Sequence, residues 1–308
     1  MKPDASIFVA GHRGMVGSAL VRALRAAGYE NLVLRERADL DLADQGQVQQ
    51  FFATTRPAYV FLAAARVGGI LANDSRPAEF LRDNLAIQTN VIDAAYRNAT
   101  AKLLFLGSSC VYPRLAPQPI TEDSLLSGPL EPTNEWYAIA KIAGIKMCEA
   151  YRRQYGFNAV TAMPTNLYGP EDNFDLASSH VLPALLRKFH EAAQRGAGTV
   201  EVWGTGTPRR EFLHVDDLAD ACLFLMRHHD QAGWINVGWG RDRTIAELAR
   251  AIANVVGFEG AIRFDPSKPD GTPRKLLDTS RMTALGWVPR IELNPGLRST
   301  YDWYLSRC

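Results

Sequence analysis

The sequence predicts an α/β chain in which a doubly wound parallel sheet fills the first half and a smaller lobe follows toward the C-terminus. Three observations carry this. A short apolar run, Ser6-Ile7-Phe8-Val9-Ala10, leads straight into Gly11-His12-Arg13-Gly14-Met15-Val16-Gly17 and then into a helix-periodic stretch through Leu20, Leu24 and Ala27. Strand and helix patterns then alternate up to residue 162. Beyond Tyr168 the alternation loosens into polar and small residues, before a strong helical pattern over 181–195.

The opening strand, tight turn and helix make a dinucleotide-binding unit of the Rossmann type. Gly11 serves the turn, Gly14 lets backbone approach a pyrophosphate, Gly17 permits close packing of helix on strand, and the phosphate meets the positive helix end. The spacing is G-x-x-G-x-x-G, one residue longer than that of many dehydrogenases. A second strand is expected at 32–34, followed by Arg35-Glu36-Arg37. A carboxylate at this point suits the ribose hydroxyls of NAD and an arginine suits the 2′-phosphate of NADP. Arg13 and Arg37 together favour NADP, with Glu36 ambiguous.

A helix over 45–54 and a strand over 59–63 complete the next repeat, and Ala63 and Ala64 leave room for a cofactor to pass. Gly68-Gly69 precedes a long helix over 77–98, on which Asn84 is either support for the site or a solvated residue. The fourth strand, 102–106, delivers Ser108 and Cys110 to its C-terminal end, the edge where open parallel sheets bind ligands. A strand at 158–162, a strand and glycine turn at 201–206, a helix capped by Asp216 or Asp217, a helix over 245–255, a strand over 261–264 and two terminal helices follow. Residues 268–275 read as a charged loop.

The chemistry is concentrated between Gly107 and Lys141. Tyr137 and Lys141 stand one helical turn apart, so both lie on one face. An ammonium beside a phenol is expected to draw the tyrosine down from its ordinary value of about 10. Ser108 offers a hydroxyl to orient a carbonyl or alcohol. A serine, Tyr-x-x-x-Lys and an upstream glycine turn together indicate hydride transfer, although a helical tyrosine and lysine alone are commonly a surface pair.

Composition bounds the rest. The chain has 308 residues, a formal charge of +1 and 47% hydrophobic residues, which gives no basis for a nucleic-acid or membrane partner and excludes a disordered chain. No apolar run approaches the roughly 18 residues of a spanning helix, and the first ten residues do not read as a signal peptide. Cys110, Cys148, Cys222 and Cys308 are scattered without a C-x-x-C pair, which argues against zinc or a disulfide framework and for a reducing cytoplasm.

These motifs resemble the extended short-chain dehydrogenase/reductase superfamily. Within it, Gly107-Ser108-Ser109-Cys110-Val111-Tyr112-Pro113, Pro164-Thr165-Asn166-Leu167-Tyr168-Gly169-Pro170 and Ser179-His180-Val181 resemble the GDP-L-fucose synthase family, and the likeness runs along nearly the whole chain. The resemblance implies conversion of GDP-4-keto-6-deoxy-D-mannose to GDP-L-fucose by 3,5-epimerisation and NADPH-dependent reduction at C4. It implies Ser108, Tyr137 and Lys141 for reduction, and Cys110 with His180 for epimerisation. It places NADPH along Gly11, Arg13, Gly14, Met15, Val16, Gly17, Arg37, Ala63, Ala64, Leu106, Gly107, Lys141, Pro164, Asn166, Leu167 and His180. The GDP-sugar falls to Ser109, Asn166, Lys188, Trp203, Arg210 and Asp278, and the family suggests a homodimer. The implied division is a cofactor domain over 1–167, rejoined by 208–239, and a substrate-binding lobe over 168–207 and 240–308.

A thiol of ordinary pKa, about 8.5, is mostly protonated at neutral pH, so Cys110 as a base needs a cation beside it, and a protonated His180 is the expected one. A 4,6-dehydratase would need an acidic pair where Ser109 and Cys110 stand. A simple 4-epimerase leaves Cys110 and His180 unexplained, and a non-catalytic NADP sensor leaves the whole set unexplained. A reductase or epimerase-reductase for another GDP-4-keto-deoxy sugar is the alternative.

Overall fold

A computed structural model describes residues 1–268 and 270–307; Pro269, inside the expected charged loop, and the terminal Cys308 lie outside the described residues. The first repeat runs β1 (Ile7–Ala10), α1 (Met15–Ala26), β2 (Leu32–Val33), α2 (Gln45–Thr55) and β3 (Tyr59–Leu62). A six-residue helix α3 (Ile70–Ser75) precedes α4 (Pro77–Arg97), β4 (Lys102–Leu106), α5 (Glu135–Tyr155) and β5 (Ala159–Pro164). Then come β6 (Asn166–Tyr168), α6 (Val181–Gln194), β7 (Thr199–Trp203), β8 (Arg209–His214), α7 (Val215–His228) and β9 (Trp234–Val237). The chain closes with β10 (Asp242–Thr244), α8 (Ile245–Val256), β11 (Ala261–Asp265), β12 (Arg274–Lys275), α9 (Ser280–Ala284) and α10 (Leu293–Leu305).

Six strands form one parallel sheet in the order β2-β1-β3-β4-β5-β9. Side-chain alternation divides these strands between two cores. Ile7, Val9, Phe61, Leu104 and Val160 face α1 and α7, whereas Phe8, Val60, Leu62, Leu103 and Phe105 face α2, α4 and α5. Burial on both faces explains why the strands read as unbroken apolar runs. Chain direction across the sheet reverses between β1 and β3, so a crevice opens at their C-terminal ends.

A third core joins α6, β7, α8 and α10 through Leu186, Phe189, Val202, Leu248, Ile252 and Leu297. In β7 alternate residues point inward, which buries Val200 and Val202 and leaves Trp203 outside, 53% exposed. Between the cores, β8 pairs with β6, β10 and β12.

Several local expectations are corrected. Strand β8 occupies a stretch to which the sequence reading assigns no element, and its Phe212 and Leu213 join different cores. Helix α7 is capped by His214, whose ring accepts from the Asp216 amide at 3.2 Å, rather than by Asp216 or Asp217. Asp217 is freed for another task and accepts the amides of Arg290 and Ile291. Within the described part of the charged loop, β12 adds a parallel partner to β8.

Candidate active site

The turn after β1 is a cradle that only glycine fits. Gly11 has φ +83°, and a Cβ there would stand 2.8 Å from the Ala64 backbone; a Cβ on Gly17 would overlap the Gly11 carbonyl. Gly14 caps α1 without a side-chain bond, so the first-turn amides face the crevice with no competing acceptor of their own. His12 Nδ1 is buried without a partner among the described residues. Such a positive, donor-rich helix end fits a dinucleotide pyrophosphate. At the outer end, Arg13 pairs with Glu36 at 2.8 Å and Arg37 with Asp41 at 3.5 Å, all well exposed. Arg13 thus shares its charge with the residue whose preference was ambiguous.

Asn84 proves to be support. Its side chain is buried, accepts from the Arg66 amide at 2.8 Å and donates to the carbonyls of Arg66 and Phe80. The Arg66 guanidinium meets Asp83 at 2.9 Å and also pairs with Glu79, so the segment after β3 is pinned to α4.

At the end of β4, Gly107 packs so closely on Met163 that a Cβ would overlap its sulfur. Ser108 then opens a 3₁₀ turn over Ser109–Val111, its Oγ accepting from the Cys110 amide at 3.3 Å. A second 3₁₀ turn, Pro132–Asn134, feeds α5. Small residues let α5 sit low on the sheet: a Cβ at Gly144 would press on Phe105 and Gln88. Lys141 therefore reaches Leu106 O at 2.7 Å and lies 4.8 Å from the Phe105 ring centroid. The Tyr137 phenol lies beside the Ser108 side chain, and Phe80 packs edge-on against its ring with centroids 6.5 Å apart.

The electrostatics differ from the sequence expectation. Burial, and secondarily the nearby Cys110, raise the Tyr137 phenol above its ordinary range, while the Ser108 hydrogen bond opposes them. Burial lowers Lys141 to about 8. The ammonium is 5.8 Å from the Tyr137 ring centroid and bonded to a carbonyl, so it does not draw the phenol down in the free chain.

Cys110 Sγ receives Asn134 Nδ2 and Lys275 Nζ, each at 3.5 Å. A cation that reaches the thiol is accordingly Lys275 on β12, a residue not singled out from the sequence. His180 caps the start of α6 with extended backbone and is reached by solvent, with desolvation still acting on its ring. That desolvation, and then the Lys275 charge, lower its pKa. Both causes disfavour the imidazolium that the sequence reading places beside Cys110.

Farther out, Lys188 and Lys268 place their ammonium groups 5.3 and 5.7 Å from the exposed Trp203 ring centroid. Arg210 donates to the carbonyls of Arg209 and Asp270, and burial lowers its pKa, as it does that of Lys188. Desolvated cations beside an aromatic face suit an anionic ligand that carries a flat ring. The remaining expected residues are placed less directly. Asn166 Nδ2 donates into β8 at Glu211 O, 2.8 Å, while Ser109 is buried at the small cavity behind Cys110.

Asp278 is tied elsewhere, its carboxylate accepting the Ser280 amide and its backbone bonding Ile120 and Asn236. The acidic residue beside Arg210 is Asp270, which accepts the Thr205 amide and hydroxyl, each at 2.8 Å. Asp270, Lys275 and Asn134 were not singled out as site residues from the sequence. The first two lie in a stretch whose only signal was surplus charge.

Comparisons with known proteins supply the family. The model of the NAD dependent epimerase/dehydratase family matches residues 7–238. GDP-L-fucose synthase 1 of Arabidopsis thaliana is 61% identical over 302 residues, covering 98% of this chain and 94% of that one. The chain belongs to the GDP-L-fucose synthase family. The Escherichia coli (strain K12) GDP-L-fucose synthase is 57% identical, with 97% of this chain and 96% of that one covered. Among solved structures, MlghC, a GDP-mannoheptose C4 reductase from Campylobacter jejuni with NADP bound, superposes with a TM-score of 0.92 at 42% identity, over 99% of both chains. Among the described residues no helix is long and apolar enough to cross a membrane.

Proposed function

We infer that this protein converts GDP-4-keto-6-deoxy-D-mannose to GDP-L-fucose, epimerising C3 and C5 and then reducing C4 with NADPH. The observation that carries the reading is the meeting of Cys110 with Asn134 and Lys275 beside the Ser108–Tyr137 pair, in a chain of this family. When bound, NADPH supplies the hydride to the C4 carbonyl carbon. Every other requirement falls to the chain's own residues.

The C4 ketone acidifies the protons on C3 and C5. Cys110, as the thiolate, is the base that takes each in turn and passes its proton to solvent between the two, with two N–H donors on its sulfur to stabilise negative charge. His180 returns a proton from the opposite face. Its depressed pKa means that the imidazolium, once formed, holds its proton weakly and is the stronger acid. Ser108 orients the ketone oxygen and Tyr137 gives it a proton as the hydride arrives. A phenol whose pKa is raised stays protonated at working pH, the state a donor needs. Lys141 holds the nicotinamide ribose.

Arg13 and Arg37 face the 2′-phosphate, while Lys188, Arg210 and Trp203 face the GDP-sugar. The family pattern assigns Asp278 to the sugar, but Asp270, which that pattern does not assign, suits that end better because it adjoins Arg210. The cofactor-binding unit is 1–167 with 208–239, and 168–207 with 240–308 bind the sugar nucleotide. We assign the protein to the cytoplasm and to a homodimer, for which Trp136 and Ile139 of α5, 43% and 37% exposed, offer apolar surface.

The test is incubation with NADPH and GDP-4-keto-6-deoxymannose in deuterated water. Loss of reduced-nicotinamide absorbance, formation of GDP-L-fucose and deuterium at C3 and C5 are expected. Reduction without deuterium incorporation would leave only a C4 reductase of this sugar and remove the epimerisation.

A further inference from the structure

The base and the proton donor for the ketone stand on the first lobe, at the end of β4 and the start of α5, whereas His180 begins α6 on the second. Two groups that address opposite faces of one sugar ring from separate lobes need those lobes held in register. The segment before His180 is locked mainly to itself. Asp175 Oδ1 accepts the amides of Ala177 and Ser178 and the Ser178 hydroxyl, and Asn173 Nδ2 donates to that hydroxyl. These bonds give the turn its shape but do not fix it to the lobe that carries Cys110.

That tie comes from the turn after β3. The Gly69 amide donates to Ser178 O at 2.8 Å, and Gly69 lies so close that a Cβ would overlap the Ser179 carbonyl oxygen. On its other side the turn is gripped by Asn73, a buried side chain whose Nδ2 donates to the carbonyls of Gly68 at 2.7 Å and Gly69 at 3.0 Å. Arg66 and Asn84 anchor the same turn to α4, and Phe80 of α4 touches Tyr137. An unbroken run of contacts thus joins the Tyr137 ring to the residue preceding His180.

We propose that Gly69 and Asn73 form a clasp between the lobes that positions His180 against Cys110, so that proton return to the ring, and not cofactor binding, depends on it. The inference rests on the epimerase reading for its chemical consequence. Neither residue touches the reacting atoms; both act through the Ser178–Ser179 backbone. Glycine is required at 69 by the approach to Ser179 rather than by backbone strain, and asparagine at 73 by the two carbonyls it spans.

Gly69→Ala and Asn73→Ala test this, with Ser75→Ala on the same helix as the control. Three quantities are compared with the unsubstituted chain: NADPH affinity, deuterium incorporation at C3 and C5, and the ring-proton resonances of His180, assigned through His180→Gln. Displacement of about 1 Å can cost about a hundredfold in rate, so incorporation should fall at least about tenfold in both clasp variants. Their His180 resonances should move, with NADPH affinity within about twofold. Asn73→Ala adds no atoms and carries the test if Gly69→Ala does not fold. Incorporation and His180 resonances unchanged in a folded clasp variant would overturn the proposal. If the unsubstituted chain itself incorporates no deuterium, the epimerase reading fails, and the His180 resonances alone decide whether the clasp exists.

Discussion

Replacing Tyr137 by phenylalanine removes one oxygen from a half-buried ring whose phenol lies beside the Ser108 side chain. Burial raises that phenol above its ordinary range, so at pH 7 to 8 it is fully protonated and loaded as a donor. Loss of a positioned general acid costs about 10²–10⁴ in rate, or roughly 3–5 kcal/mol of transition-state stabilisation. The folded state loses only about 1 kcal/mol for one neutral hydrogen bond, a drop in Tm of about 2–4 °C or less for a chain of this size. Single-turnover NADPH oxidation should therefore slow by at least about a hundredfold. NADPH affinity and deuterium incorporation at C3 and C5 should stay within about threefold, since Cys110 and His180 are untouched. The reasoning is refuted if reduction slows less than about threefold, or if incorporation collapses in step with reduction, because Tyr137 would then not be the separate proton donor for C4.

Cys110→Ser, which keeps the shape of the side chain but not the acidity of the thiol, should abolish deuterium incorporation at C3 and C5 while NADPH still binds; full incorporation would assign the base elsewhere. Arg210→Lys exchanges a planar fork for a point charge and should raise the KM for the GDP-sugar about tenfold with little change in kcat, measured by steady-state kinetics. Asp172 has a buried Oδ2 without a partner among the described residues, and burial raises its carboxyl from 3.8 to about 7. The folded chain then keeps a proton that the unfolded chain releases, so stability is lost as pH rises from about 4 to 7, by about 4 kcal/mol at most. Asp172→Asn should flatten that dependence and stabilise the protein at pH 8, as denaturant titrations at pH 5 and pH 8 will show; equal slopes in the two proteins would remove the argument.

Elements whose signal is local were legible in the sequence. The glycine turn between β1 and α1, the alternation of apolar strands with amphipathic helices, and Tyr137 with Lys141 one turn apart all follow from spacing along a few consecutive residues. Family motifs added Cys110 and His180 in the same way, since each motif is contiguous. What the sequence by itself determined was therefore which reactive groups exist and which element carries each.

Tertiary structure alone decided how those groups act on one another. Lys275 reaches Cys110 across 165 positions and Gly69 reaches Ser178 across more than a hundred, separations at which no periodicity carries information. Ionisation followed packing in the same way. Tyr137 is raised and His180 lowered chiefly by desolvation, which outweighs the neighbours that a linear reading would have put in charge. Burial depends on the whole fold, and so does the chemistry that burial controls.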